Sequence, residues 1–150
     1  MLRDPSLVPL SHQHHNGLAL CVLVKRALEQ DPSGDNVARQ ARRILDRFEL
    51  ELVNHFQLEE EFLFREAEQI LGPIDLICSL VQDHRQLEHL AAELQSAPTR
   101  GLVDRFCVLL SAHIRREETE LFQDLQQRLP REVLDRVGRE LEHRAVRICL

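Results

Sequence analysis

The stretch from Asp46 to Glu61, DRFELELVNHFQLEEE, constrains the fold more than any other part of the chain. At 3.6 residues per turn, one face of a helix through this stretch carries six side chains: Leu45, Phe48, Leu52, His55, Glu59 and Phe62. Two of them, His55 and Glu59, are titratable and lie one turn apart on a face that is otherwise apolar. Such a pair can bind one metal ion or form a buried ion pair.

The composition predicts an all-helical protein with a single domain over residues 1–150. The chain is long enough to bury its own core, and its 5 glycines and 6 prolines fall mainly between apolar-periodic stretches. Turn signals separate four long helices at about residues 12–30, 35–70, 73–96 and 99–129. Short turns between long helices favour an up-down-up-down four-helix bundle over about residues 11–129, followed by a shorter C-terminal helix over about residues 131–147.

The first helix is expected to begin only at about residue 12. Pro5 and Pro9 predict an extended N-terminal segment, and Ser11 is the predicted N-cap. On the fourth helix, the periodicity turns Leu121 and Asp124 inward. These expectations rest on a regular 3.6-residue period.

Charge and hydropathy exclude several classes of function. The formal net charge of −6, without a long basic stretch, argues against nucleic-acid binding. The longest apolar run, Leu18 to Val24, is too short to cross a membrane. The N-terminus lacks the pattern of a signal peptide, so we expect a cytoplasmic protein. The four cysteines form no CxxC pair and are expected to be apolar residues within helices: Cys21, Cys78, Cys107 and Cys149.

Counting residues from the predicted turns brings four inward histidines to one level. His84 and His113 each lie about 13 or 14 residues from the turn between the third and fourth helices, which is about 20 Å along a helix. His14 and His55 are level across the first turn by the same count. Four imidazoles together with Glu59 and Glu117 would be a costly core without an ion.

The predicted metal ligands are therefore four histidines and two glutamates: His14, His55, Glu59, His84, His113 and Glu117. Nitrogen and oxygen donors without thiolates favour iron, with manganese or zinc as alternatives. His15, Glu88 and Glu118 remain possible further ligands, whereas Glu60, Glu61 and Glu118 are expected on a solvated face. The pair His89–Glu93 has the same spacing as His55–Glu59 but is predicted to face outward.

Four ordered motifs resemble the hemerythrin-like, HHE cation-binding family over residues 10 to about 128. The motifs are LSHQHHNGL, NHFQLEEEF, QDHRQLEHL and SAHIRREETELF. The resemblance implies a non-haem di-iron centre of the Fe–O–Fe type, with the four histidines as imidazole ligands and Glu59 and Glu117 as bridging carboxylates. In the oxygen carriers of the family, a histidine stands at the position of Glu88 and an aspartate at that of Glu118.

Two classes of function follow. The first is a di-iron protein that binds or senses oxygen, nitric oxide or peroxide, or that handles iron. The alternative is a helical protein-interaction module in which the metal is structural or absent. Enzymatic activity stays open: weak oxidase or peroxidase activity is compatible with such a centre, although the absence of Tyr and Trp removes the usual radical relays. No catalytic residue and no protein partner is identified.

Overall fold

Five helices make up the regular structure of residues 2–148, the part of the chain that the computed structural model describes. A 3-10 turn at Pro5–Leu7 precedes them. The helices are α1 (Val8–Gln30), α2 (residues 34–71), α3 (Asp75–Ser96), α4 (residues 100–128) and α5 (Arg131–Arg144). Helix α1 packs against α2 and α4, and α3 packs against the same two helices. The prediction of an all-helical protein is confirmed.

The N-terminal segment differs from the prediction. Helix α1 begins at Val8, so the expectation of an extended segment through Pro9 is wrong. Pro9 lies in the first turn of the helix, where the missing N–H would have no intrahelical partner. Ser11 lies inside α1, which has Leu7 at its N-cap and no side-chain cap. Asp4 caps the preceding 3-10 turn, because its carboxylate accepts hydrogen bonds from the backbone and the hydroxyl of Ser6.

Three π-helical segments interrupt the long helices. They lie at Phe48–Leu52 and Glu59–Phe64 in α2 and at Glu117–Leu121 in α4. A π turn accommodates an extra residue and so rotates the residues that follow it around the helix axis. Consequently Leu63 is fully buried where Phe62 was predicted, and Leu125 is buried where Asp124 was predicted. Asp124 instead pairs with Arg128 at the surface.

The core consists of two apolar clusters with a polar level between them. One cluster includes Leu28 and Phe106, and the other includes Leu63 and Phe122. Along each of the helices α1 to α4, the change from one cluster to the other occurs at or beside a buried histidine. Helix α5 and the N-terminal turn close the second cluster. No helix of residues 2–148 is long and apolar enough to cross a membrane.

Gly138 of α5 lies directly against the N-terminal turn, so Gly138→Ala is expected to destabilise the protein. An added Cβ would lie 2.8 Å from both Cα and Cβ of Ser6, and the backbone must shift to relieve this contact. We expect a loss of about 1–3 kcal/mol in the free energy of unfolding, measured in urea. Gly101→Ala is the control, since its Cβ would meet no described atom within 4 Å. Equal stability of the two variants would contradict the packing described.

Candidate metal centre

All six side chains predicted from the sequence meet at the polar level. They form two groups of four, and within each group one ligand atom from every residue lies within 4.8 Å of the others. Both groups contain Glu59 and Glu117. The first group adds His14 and His55, and the second adds His84 and His113. Two facing histidine pairs therefore share two carboxylates.

Each carboxylate directs its two oxygens toward histidines of both groups. Oε1 of Glu59 lies 3.0 Å from Nε2 of His55, and Oε2 lies 3.2 Å from Nε2 of His84. Oε2 of Glu117 lies 2.9 Å from Nε2 of His14, and Oε1 lies 3.2 Å from Nε2 of His113. All six residues are at most 3% exposed. This arrangement suits carboxylates that bridge two ions.

An oxygen atom lies against Nδ1 of every one of the four histidines. The partners are Glu118 for His14 at 2.7 Å, Gln13 for His55 at 2.9 Å, Glu60 for His84 at 2.9 Å and Asp83 for His113 at 3.2 Å. An acceptor at Nδ1 keeps the ring proton on that nitrogen and fixes the orientation of the ring. In its neutral form, each histidine therefore turns the lone pair of Nε2 toward the centre.

Most of the nitrogen and oxygen atoms that face the centre have no hydrogen-bond partner. The Nε2 atoms of His84 and His113 lie 3.1 Å apart, and with Nδ1 protonated both are acceptors. Within the described part of the chain, Nε2 of His14 and His55 and all four oxygens of Glu59 and Glu117 have no hydrogen-bond partner. These atoms come within ion-pair distance of each other, but not along hydrogen-bonding directions. Buried acceptors that converge in this way require cations between them, so the residues fit a metal centre.

The pKa values of these residues also indicate that the centre favours positive charge. Burial raises the pKa values of Glu59 and Glu117, but the histidines around them outweigh burial and the pKa values are lowered. Burial lowers the pKa values of His14, His84 and His113, but the neighbouring carboxylates outweigh it and raise them. Without metal, His14, His84 and His113 therefore bind protons more tightly than free imidazoles do.

The family match decides the identification. The family model described as the hemerythrin HHE cation binding domain matches residues 8–125. The chain belongs to this family. The matched region contains all six residues of the two groups and ends before α5. No curated protein and no solved structure matches the chain significantly.

Glu60, which was expected to face only solvent, and Glu118, which was also kept as a possible ligand, both contact histidines of this hemerythrin HHE domain. Glu60 contacts Nδ1 of His84, and Glu118 contacts Nδ1 of His14 and the hydroxyl of Ser11. Each directly follows a glutamate of the centre, so the sequence contains the pattern HxxxEE twice. The second glutamate of each pattern points about 100° away from the first and reaches a histidine on a neighbouring helix. The repeated pattern points to Glu60 and Glu118 as residues of the site, which helical periodicity alone did not.

The other possible ligands lie outside both groups. Glu88 is 40% exposed and pairs with Arg85, and His15 is exposed on α1. His89 is 74% exposed beside Glu93, although this pair has the same spacing as His55–Glu59. The two pairs have the same spacing, and they differ in the direction that they face: His55–Glu59 points into the bundle, whereas His89–Glu93 points to solvent.

Phenylalanine rings stack on two of the imidazoles of the HHE domain. The ring of Phe56 stacks on His84 with centroids 4.0 Å apart, and the ring of Phe122 stacks on His14 at 5.3 Å. These contacts restrict ring rotation and cover the centre with apolar surface.

Asp83→Asn is expected to weaken metal binding by about 10–100-fold, because Asp83 orients His113 and an amide is a weaker acceptor for its Nδ1 proton. Competition with a chelator of known affinity measures the change. Asp46→Asn is a matched control, since Asp46 is exposed and pairs with Arg42 on the surface of α2. Equal affinities of the two variants would show that Asp83 does not support the site.

Proposed function

We propose that this HHE domain binds two iron ions and, through them, binds or senses oxygen, nitric oxide or peroxide, or handles iron. The proposed ligands are His14, His55, Glu59, His84, His113 and Glu117. The observation that carries the proposal is the pair of buried carboxylates shared by two histidine pairs whose Nε2 lone pairs face them. We further propose that α1 to α4 form an up-down-up-down bundle within a single domain, as the level positions of the four histidines require.

The donor chemistry favours iron. Each group offers two imidazole nitrogens and two carboxylates and no thiolate, a set that suits iron and, less specifically, manganese or zinc. Two carboxylates offset only part of the charge of two divalent ions, so the proposed centre has room for anionic or neutral ligands from solvent. Bound iron would supply a redox-active ion with positions open to a small ligand.

The residues of the chain restrict which ligands can take part. The six donor side chains are almost completely buried, and Phe56 and Phe122 cover two of them. A cavity of about 480 Å³ is lined by Gln13, the residue that contacts Nδ1 of His55, and by Glu51. A diatomic molecule or peroxide is small enough to approach donors that are this deeply buried, whereas a larger substrate would have to displace the side chains packed around them.

Metal analysis of the protein, purified without chelator and without air, tests the proposal. We expect two irons per chain and the appearance of oxo-bridged absorption bands in air. His55→Ala is expected to lose bound metal, while the exposed His89→Ala keeps it. Manganese or zinc at the same stoichiometry would change the assigned metal. A protein that takes up no metal on reconstitution would refute the centre and favour the helical interaction module.

A further inference from the structure

Two cysteines line the groove between α1 and α4, apart from the metal centre. The groove has a volume of about 680 Å³, and both Cys21 of α1 and Cys107 of α4 line it. Cys107 is partly exposed and packs against the core cluster that contains Cys21. Cys21 is buried, with 6% of its surface exposed, and lines the inner side of the same groove.

The side chains of Cys21 and Cys107 line the same groove, one from each helix, and are close enough for each thiol to shift the pKa of the other. Side chains of α4 pack over Gly17, which lies one turn before Cys21. A Cβ on Gly17 would lie 3.0 Å from Cδ1 of Ile114 in α4. Disulfide formation requires a short separation of the two backbones, and a small residue beside the pair favours it.

We propose that Cys21 and Cys107 are a redox pair that hydrogen peroxide converts to a disulfide. Cys21 is the attacking thiolate and Cys107 is the resolving thiol. The proposal does not depend on the function assigned to the metal centre, because no step uses a metal.

The surroundings of Cys21 favour the thiolate. The neighbouring Cys107 thiol lowers the pKa of Cys21, burial opposes this, and the Ser111 hydroxyl and the Arg115 guanidinium lower the pKa further. The same interaction raises the pKa of Cys107, which keeps its proton. Lys25 lines the groove as a further cation. A positively charged, hydrogen-bonded environment is the one in which a cysteine reacts with peroxide.

The reaction balances in two steps. The Cys21 thiolate attacks one oxygen of hydrogen peroxide, the O–O bond breaks, and hydroxide leaves as Cys21 becomes a sulfenic acid. The Cys107 sulfur then attacks the Cys21 sulfur, the S–O bond breaks, and water leaves with the thiol proton. Two thiols are oxidised and one peroxide is reduced.

The disulfide would connect two helices that carry residues of the metal centre. Cys21 lies about two turns after His14 on α1, and Cys107 lies just under two turns before His113 on α4. Oxidation would therefore join α1 to α4 at a site one to two turns from the histidines.

Mass spectrometry after treatment of the full-length protein with stoichiometric hydrogen peroxide tests the proposal. Of the four thiols, we expect two to be lost, with a mass decrease of two hydrogens and a peptide cross-link between Cys21 and Cys107 that dithiothreitol reverses. The exposed Cys78 should remain free for alkylation after denaturation. Oxidation of Cys78 while Cys21 and Cys107 stay reduced would overturn the proposal, as would sulfinic acid without the cross-link.

Variants separate the roles of the two thiols. In Cys107→Ser, a dimedone adduct should accumulate on Cys21 and no cross-link should form, whereas Cys78→Ser should leave the cross-link yield unchanged. Cys107→Ser without the adduct would refute the attacking role of Cys21. The His55→Ala variant should form the cross-link at the same rate as the wild type. A cross-link that requires bound iron would overturn direct attack by the thiolate.

Discussion

Glu59→Gln is expected to remove the two proposed metal ions from the protein. Glu59 belongs to both groups of donor atoms, and its two oxygens face His55 and His84 on opposite sides. The amide keeps the size of the side chain but removes one of the two negative charges at the centre. Two buried divalent ions would then face a single carboxylate, an arrangement that costs several kcal/mol per uncompensated charge. Metal content after gel filtration measures the effect.

Glu93→Gln is the matched control for this experiment. Glu93 follows His89 with the same spacing and lies at the surface, so its substitution should leave the metal content unchanged. Circular dichroism establishes that both variants are helical before their metal contents are compared. A folded Glu59→Gln protein that keeps two ions would show that Glu59 does not bridge them.

Removal of the metal is expected to destabilise the protein and to change how its stability depends on pH. A ligand that binds only the folded state stabilises it by about 4 kcal/mol when its free concentration is 1,000 times its dissociation constant. With two sites, loss of metal should therefore lower the melting temperature strongly. Thermal unfolding with and without a chelator measures the difference.

The pH dependence of the metal-free protein follows from the shifted pKa values. The pKa values of His14, His84 and His113 are raised in the folded protein. Their contribution to the free energy of unfolding is therefore complete below the ordinary histidine pKa of 6.5, and it is lost as the pH rises through the pKa values of the folded state. The pKa values of Glu59 and Glu117 are lowered in the folded protein. Their contribution to the free energy of unfolding is therefore present above the ordinary glutamate pKa of 4.5, and it is lost as the pH falls through the pKa values of the folded state.

The metal-free protein should therefore be most stable at mildly acidic pH, between these two ordinary values. The metal-loaded protein should be most stable at higher pH, because metal ions replace the protons on Nε2 and binding releases them. Melting temperatures of both forms across a pH series provide the measurement. A metal-free protein whose stability keeps rising above pH 7 would contradict this charge arrangement.

The helical fold and the convergence of the six side chains follow from information that is local in the sequence. Apolar periodicity defines the helices, and a histidine or glutamate on an apolar stripe is visible without any tertiary contact, as at His55 and Glu59. The short turns then allow residues to be counted from each helix end, which brings His84 and His113 to one level. The structure brings these residues together as expected, and the family match over residues 8–125 agrees with the resemblance seen in their motifs.

Tertiary structure alone decided how each histidine is oriented. Gln13 and Asp83 each directly precede a histidine of the centre, yet each supports the histidine of the next helix, namely His55 and His113. Glu60 and Glu118 likewise reach across to α3 and α1. The sequence carries the period of a helix but not the rotation of one helix relative to its neighbour, so contacts between helices are not readable from spacing.

The helix register beyond Glu59 and Glu117 was also decided by the fold. Regular periodicity predicted Phe62 and Asp124 on the inner face, whereas the π segments that begin at Glu59 and Glu117 turn Leu63 and Leu125 inward. A π turn forms only where packing compensates for its poorer local geometry. The sequence by itself therefore determined the helices and the level of the site, and tertiary packing determined the register and the hydrogen-bond partners of its side chains.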